Sequence, residues 1–502
     1  MKDAKRYYKG SSDGKRPLTH DPLAGARTDY DLIVVGSGLG GLTAANVLGR
    51  AGHRVCLLEQ HYNFGGLATW FKRRGGHVFD ISLHGFPVGM LKTCRKYWTP
   101  EIAASIVRLD GVRFDNPQFA FETEFTREDF TDKLVRVLGV PLAAVEGFYD
   151  ELKRMDFFDP SEETTGELFE RHFPGRNDVH RLLLEPISYA NGSTLDDPAL
   201  TYGIVFSNFM SKGVYSFSGG TDVLVRRMRE ELLRNGVELY NSVAVERIVV
   251  EDGPGGPRVQ GVVANGRLLE APAVVSNANV LSTVFRLVGA EHFAPEFVRE
   301  ARAVRLNTSS CQVYLGVREG VELPFVTDLL FTSTRPTFTS DALCDLHGES
   351  RTFSFYYPKT RPQAPARHSI VSSTNARYED WQALDQAAYE REKARLAEDT
   401  LASLERYVPG ARGLVDHVEV ATPRTFEFYT EHPRGTSFGT KFEGLAVSRA
   451  LPDQVRGLFH AGSVGIIMSG WLGAANYGAI TANRVDAWLH TLATAGADAP
   501  TP

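Results

Sequence analysis

The sequence predicts an α/β fold that is discontinuous along the chain, with a mixed α+β unit inserted into it. Three observations carry that reading. An apolar run of strand length, residues 31–35 (DLIVV), ends in a glycine cluster and leads into a helical pattern. A second apolar run, VCLL at 55–58, ends on an acidic residue. Segments that suit the same sheet return at 212–290 and 425–490, separated by two long stretches of different texture.

The first element has a specific physical reading. Gly36-Ser37-Gly38-Leu39-Gly40-Gly41 follows the strand, and LTAANVLGRAGH continues as a helix. Gly36 permits a tight turn, Gly38 lets backbone approach a pyrophosphate, and Gly41 lets the helix pack closely on the strand. Free N–H groups and the positive dipole end of the helix, with Gly40 in its first turn, face the phosphates. Glu59, closing the second strand, is placed to accept hydrogen bonds from an adenosine ribose. Strand, glycine turn, helix, strand and acid together predict a Rossmann-type dinucleotide-binding domain.

After Glu59 comes Gln60-His61-Tyr62-Asn63-Phe64-Gly65-Gly66-Leu67. A second glycine pair, Gly65 and Gly66, suits a chain that crosses the pyrophosphate again, and Gln60 and Leu67 are assigned to the cofactor with it. Two apolar stretches around Arg74-Gly75-Gly76 then read as a hairpin. ExxxxxGG followed by GGHVFD resembles the FAD-binding amine oxidase and phytoene desaturase superfamily. LEQHYNFGG with FDISLHGF is most similar to its branch of retinol saturases, carotenoid isomerases and bacterial phytoene desaturases. That branch has glycine two residues after the FD aspartate, where this chain has Ser82.

The resemblance continues. YSFSGG at 215–220 and the helix after it, with Val223, Leu224, Met228, Leu232 and Leu233 as its apolar stripe, are similar to the family's YPxGG segment. Alternating strands follow, turned at Gly253 to Pro257 and at Asn265-Gly266. The resemblance implies that a backbone amide at Val245 meets the adenine. VVSNAN at 274–279 leads back to the first sheet. At 457–489 a short strand ends in Gly462, and a small-residue helix follows. The resemblance implies that Gly462 approaches the pyrophosphate, and that the turn at 469–473, with Gly470 and Leu472, lies against the flavin ring. Trp471 is large for that place, and packing into the core is its competing reading.

The domain expectations are a polar arm at 1–28, a cofactor domain from 29–100, 212–290 and 425–490, a substrate-binding or lid domain from 101–211 and 291–424, and a flexible tail at 491–502. In the second insertion, Trp381, Leu384, Leu401, Leu404 and Val408 line one side of an amphipathic stretch and read as core.

Composition bounds the function. The 502 residues carry 55 Lys+Arg against 61 Asp+Glu, net −6, which excludes a polybasic nucleic-acid binder. Four scattered cysteines without a CxxC argue against a disulfide framework or a zinc site, so no metal is expected. With no signal-peptide or spanning pattern, the expected location is cytoplasmic, with peripheral membrane contact through apolar stretches such as 202–209 (YGIVFSNF), for which an ordinary buried helix or strand is the competing reading.

The resemblance implies FAD and chemistry on carbon–carbon bonds of a hydrophobic isoprenoid-, carotenoid- or retinoid-like substrate, by desaturation, saturation or cis-trans isomerisation. An electron acceptor or donor of unspecified kind would complete the reaction. His84 follows the FD segment, and the retinol saturase branch tends to have histidine there. It is the candidate catalytic group, with a hydrogen-bonded structural histidine as the alternative. His61 reads as near the cofactor and His77 as structural. A flavin amine oxidase and a non-catalytic flavin-containing lipid-binding protein are the alternative functions.

Overall fold

A computed structural model describes residues 21–155, 162–210, 212–253, 255–362 and 367–497. Its central sheet has five parallel strands in the spatial order Glu238–Tyr240, Val55–Leu58, Leu32–Val35, Ala273–Ser276 and Leu458–His460. Leu32–Val35 (β1) and Val55–Leu58 (β2) are buried at every position. Such continuous apolar runs suit a sheet covered on both faces. Leu32 and Val34 pack with Leu42 and Leu48 of the helix Leu39–Arg50 (α1), with Met228 of the helix Gly220–Arg234, and with Ala475 of the C-terminal helix Gly470–Ala497. Ile33 and Val35 face the other way, toward Ile248 and Val262 of a three-stranded antiparallel sheet and Leu451 of the helix Glu443–Gln454.

β1 lies between β2 and Ala273–Ser276, so the chain leaves it in both lateral directions. A crevice opens at the carboxyl ends of strands at such a point, which is where doubly wound sheets bind ligands. α1 and the C-terminal helix meet there through glycines. A Cβ at Gly478 would lie 2.2 Å from the Gly40 carbonyl oxygen, so only glycine permits that approach.

A second, seven-stranded mixed sheet stands over the crevice. Its order is Val415–Ala421, Ser309–Val317, Ser369–Ala376, Ser350–Tyr356, Leu329–Ser333, Val112–Asp115 and Ala120–Thr123. One face is apolar and packs Val313, Leu315, Phe353 and Ile370 against Trp381, Leu396 and Leu404. Trp381, Leu404 and Val408 are therefore core, with Leu384 and Leu401 partly buried beside them. Against part of the other face lie helices from 142–209, whose contact is a cluster of phenylalanines including Phe114, Phe148, Phe169 and Phe331.

Several expectations are corrected. Only 21–28 of the polar arm lies within the described residues. There Leu23 is fully buried, Arg27 pairs with Glu238, and the chain bonds to Glu270, so this end is docked. The C-terminal helix runs on through Ala497 rather than ending near 491; 498–502 lie outside the described residues. Residues 202–209 belong to the helix Ala199–Phe209, with Tyr202 and Phe206 buried. Leu233 is exposed, because the helical period brings Leu224, Met228 and Leu232 inward instead. The hairpin Trp70–Lys72/Val78–Asp80 and the turn at Asn265-Gly266 form as expected, the latter with φ of 48° and 73°.

Candidate active site

A single cavity of about 420 Å³ runs from the glycine loop after β1 to the space between the seven-stranded sheet and the helices. Gly36, Gly38, Gly40, Glu59, Gln60, Gly65, Gly66, Leu67, His84, Val245 and Gly470 all line it. The chain thus brings together most of the residues expected at the site, from positions more than four hundred residues apart.

The loop end is built to receive phosphate. Gly38 caps α1 with extended backbone, no side chain bonds to the helix N-terminus, and no acidic residue sits in its first turn. These donors face a ligand space rather than protein. Gly36 adopts φ 95°, as a tight turn requires. Asn279, also on the wall, carries a buried Nδ2 without a partner, a further donor for a polar ligand. A dinucleotide fits these features.

Glu59 is a buried carboxylate that already holds the loop. Its Oε2 accepts from Ser37 N at 2.8 Å and Ser37 Oγ at 2.5 Å, and its Oε1 accepts from His61 N at 2.8 Å. Ser37 Oγ also accepts from Gly65 N at 3.1 Å. The acid at the end of β2 therefore staples both glycine segments together. Sequence reasoning missed Ser37, although a small hydroxyl between two motif glycines was the available signal. It also missed Asn277, whose Nδ2 donates to the Ala461 carbonyl at 2.7 Å.

Four assignments change. A Cβ at Gly38 would lie 2.5 Å from Asn277 Oδ1, so a side chain there must displace that amide as well as crowd a pyrophosphate. Gly41, Gly462 and Leu472 are not among the residues lining the cavity. Gly41 packs on the turn, its Cβ position 2.2 Å from the Gly36 carbonyl. Gly462 is pressed against the Ala278 carbonyl and the His460 ring, and Leu472 against Gly89. All three support the wall from behind. Trp471 both lines the cavity and packs against Phe86 and Phe217, and its Nε1 donates to the Ser82 carbonyl at 3.0 Å. Ser82, in turn, donates to the Leu67 carbonyl at 2.8 Å.

The far end is lined by Phe125, Ile187, Phe209, Val214, Leu329 and Phe331 on one side. His84 stands on the other. Tyr314 donates to Gln312 Oε1, which turns Gln312 Nε2 toward His84 Nε2 at 3.3 Å. Nε2 must then accept, so the ring proton sits on Nδ1 and donates to Ser354 Oγ at 2.9 Å. Ser373 Oγ lies 3.2 Å from Nε2. Burial pushes the imidazole down to about 4, so it is neutral near pH 7. His61 lines the cavity too, whereas His77 is buried away from it beside Asp416 at 2.7 Å. Two charged wall residues, Arg73 and Glu419, form a bidentate pair at 2.5–2.6 Å, and Arg286 pairs with Glu431.

Compared with known proteins, residues 39–480 match the family of flavin containing amine oxidoreductases. All-trans-retinol 13,14-reductase of Homo sapiens is 23% identical over 472 residues, covering 82% of this chain and 77% of that protein. The chloroplastic prolycopene isomerase of Daucus carota is 24% identical over 458 residues, covering 82% and 72%. The crystal structure of an oxidoreductase from Methanosarcina mazei superposes with a TM-score of 0.63 at 15% identity, over 89% of this chain and 99% of that one, a likeness of fold.

Proposed function

The chain belongs to the family of flavin containing amine oxidoreductases and is a flavin-dependent oxidoreductase; from that premise we propose that its flavin is FAD and that it acts on carbon–carbon bonds of a hydrophobic polyene or isoprenoid. The observation that carries this reading is the continuity of one cavity from a phosphate-binding glycine loop to a chamber walled by aromatic and aliphatic side chains. The matched retinol reductase and prolycopene isomerase act, by their names, on polyenes.

We assign the phosphates to Gly36, Gly38, Gly40 and the N-terminus of α1, and the ribose to Glu59 beside Gln60. The remaining cofactor contacts fall to Gly65, Gly66 and Leu67, to Val245, and to Gly470 at the start of the C-terminal helix. Gly41, Gly462 and Leu472 shape this cradle from outside. The segments 29–100, 212–290 and 425–490 hold the cofactor, and 101–211 and 291–424 roof the substrate. Bound flavin supplies a two-electron acceptor or donor for carbon–hydrogen bonds. The chain excludes water with Phe125, Phe209 and Phe331, and orients the substrate between them and the sheet. His84 remains the catalytic candidate: a neutral imidazole that can take a proton at Nε2, against the penalty of charging a buried ring.

An amine oxidase reading is less supported. A cationic amine leaving water requires compensating charge, yet Arg73–Glu419 and Arg286–Glu431 on the wall are already paired. Anaerobic incubation of the flavin-loaded protein with polyenes tests the proposal. A product lighter by two mass units identifies desaturation, one heavier by two saturation, and an unchanged mass with shifted retention isomerisation. Amine turnover without any polyene turnover refutes it, and a flavin spectrum indifferent to both leaves a binding protein.

No helix among the described residues is long and apolar enough to cross a membrane. We propose peripheral contact through the aromatic rim of Tyr62, Phe428 and Tyr429, all exposed, with Tyr62 and Tyr429 also lining the cavity. Phe428→Glu should lower recovery with floated liposomes at least threefold; equal recovery removes this rim from the contact.

A further inference from the structure

The cavity is two-sided. The strands Ser309–Val317, Ser350–Tyr356 and Ser369–Ala376 are buried at every position, yet each carries polar side chains. Their apolar set faces the outer helices. Their polar set, Ser310, Gln312, Thr352, Ser373 and Asn375, faces the cavity. Strand register places these groups side by side: Ser310 opposite Asn375, and Gln312 opposite Ser373, which is itself opposite Thr352. Phe331 continues that row beyond Thr352.

A chamber made only for hydrocarbon has no use for such a band. Each buried hydroxyl or amide without a good partner costs about 1–3 kcal/mol, and apolar side chains of similar volume would serve a hydrocarbon better. Three of them are already held, since Asn375 Nδ2 donates to the Ser188 carbonyl at 3.0 Å, Gln312 lies between Tyr314 and His84, and Ser373 Oγ is 3.2 Å from His84 Nε2, which leaves the hydroxyls of Ser310 and Thr352 for a ligand. Thr352 Oγ1 reaches only the Ser373 carbonyl, at 3.5 Å. His84, held neutral within the same band, offers no charge that would select an ion.

We propose that Ser310, Gln312, Thr352, Ser373 and Asn375 form a subsite for a neutral oxygen, so that the substrate is an oxygenated polyene, a hydroxyl- or carbonyl-bearing isoprenoid rather than a bare hydrocarbon. This rests on the polyene reading above and narrows it. The oxygen lies on the sheet, and the conjugated chain runs along Phe125, Ile187 and Phe209 opposite. Sites that hydrogen-bond a substrate hydroxyl discriminate strongly against its deoxy analogue, because their own polar groups are left unpaired.

The test is a matched comparison of dissociation constants on the FAD-loaded, full-length protein in mild detergent, read by ligand absorbance and flavin fluorescence. One pair is all-trans-retinol and axerophthene, its analogue with CH3 in place of CH2OH; the other is zeaxanthin and β-carotene. The oxygenated member of at least one pair should bind tenfold or more tightly. In the double variant Ser310→Ala/Thr352→Val that preference should fall below threefold, with hydrocarbon affinity unchanged or improved. Equal binding within both pairs overturns the subsite and leaves the polyene reading intact. A preference that persists undiminished in a folded double variant also overturns it. No binding of any of the four compounds overturns the polyene reading itself. Should the variant fail to fold, the comparison on the unaltered protein decides the matter alone.

Discussion

Replacing one oxygen of Glu59 by nitrogen is the sharpest test of how the cofactor cradle is built. The carboxylate accepts three hydrogen bonds from the chain: two at Oε2 from Ser37, and one at Oε1 from the His61 amide. In Glu59→Gln the amide has one acceptor oxygen. Its better orientation keeps that oxygen on Ser37 and sets NH2 against the His61 N–H, so one bond to a charged acceptor is lost and two donors face each other. The other orientation loses both Ser37 bonds. Losing one charge-assisted bond costs about 1.5–3 kcal/mol. Since a tenfold change is about 1.4 kcal/mol, FAD affinity should fall by about 10- to 150-fold if the loop must keep this shape to bind. The assay is titration of deflavinated protein with FAD, following flavin fluorescence, with the melting temperature of the flavin-free protein measured alongside. A lower melting temperature with weakened FAD binding is expected, because the bonds exist before the cofactor arrives. Affinity within threefold of the original would refute the idea that Glu59 organises the binding loop.

Three further outcomes follow from the geometry. His84, depressed by burial to about 4 against an ordinary 6.5, binds its proton more readily when unfolded. Its contribution is therefore full above pH 6.5 and is lost as pH falls toward 4, on the order of 3 kcal/mol; His84→Gln should flatten the stability-against-pH slope there by about one proton, an unchanged slope refuting this, while buried His460, also depressed to about 4, keeps its own share. Gly40→Ala would place a Cβ 2.0 Å from the Ala461 carbonyl oxygen, so separating α1 from that backbone should cost at least about 1–3 kcal/mol together with FAD binding, and a variant that melts and binds like the original disproves the contact. Arg361→Met leaves the fully buried Asp80 without its guanidinium partner at 3.1 Å, which should destabilise by about 3–5 kcal/mol; chemical denaturation with an unchanged midpoint counts against that pairing.

Much of the cofactor end was legible because its chemistry is local. β1, the glycine turn, α1 and β2 span residues 32–58, so strand, turn, helix and acid lie in one short stretch of sequence. Even there, partners distant in sequence changed the reasons. Gly38 faces the Asn277 amide, and Glu59 is committed to Ser37 and His61. Gly462 and Leu472 sit close to the right place in the chain but shape the wall from behind: Gly462 lies against Ala278 and His460, and Leu472, one step along the helix from the cavity-lining Trp471, lies against Gly89. At 202–209 the apolar run left a membrane-facing patch and an ordinary buried helix both open, and its buried side finds partners in other helices: Tyr202 donates to the Leu183 carbonyl and Phe206 packs on Phe148.

The substrate end was less legible for a reason that reaches the function. In an antiparallel sheet, alternation of polar and apolar side chains ordinarily means one face in water. CQVYLGV and RTFSFYYP show that alternation, and nothing local separates a face in water from a face lining a chamber. The helices of 142–209, held to the sheet by contacts such as Asn375 Nδ2 to the Ser188 carbonyl at 3.0 Å, and the hairpin residues Phe71 and Phe79 packed on Tyr314 together remove the polar face from solvent. Once it is covered, the same residues change meaning. The hydroxyls of Ser310 and Thr352, which water would have satisfied at no cost, become groups for a ligand to satisfy, and the sequence feature that hid the chamber is the one that selects its occupant.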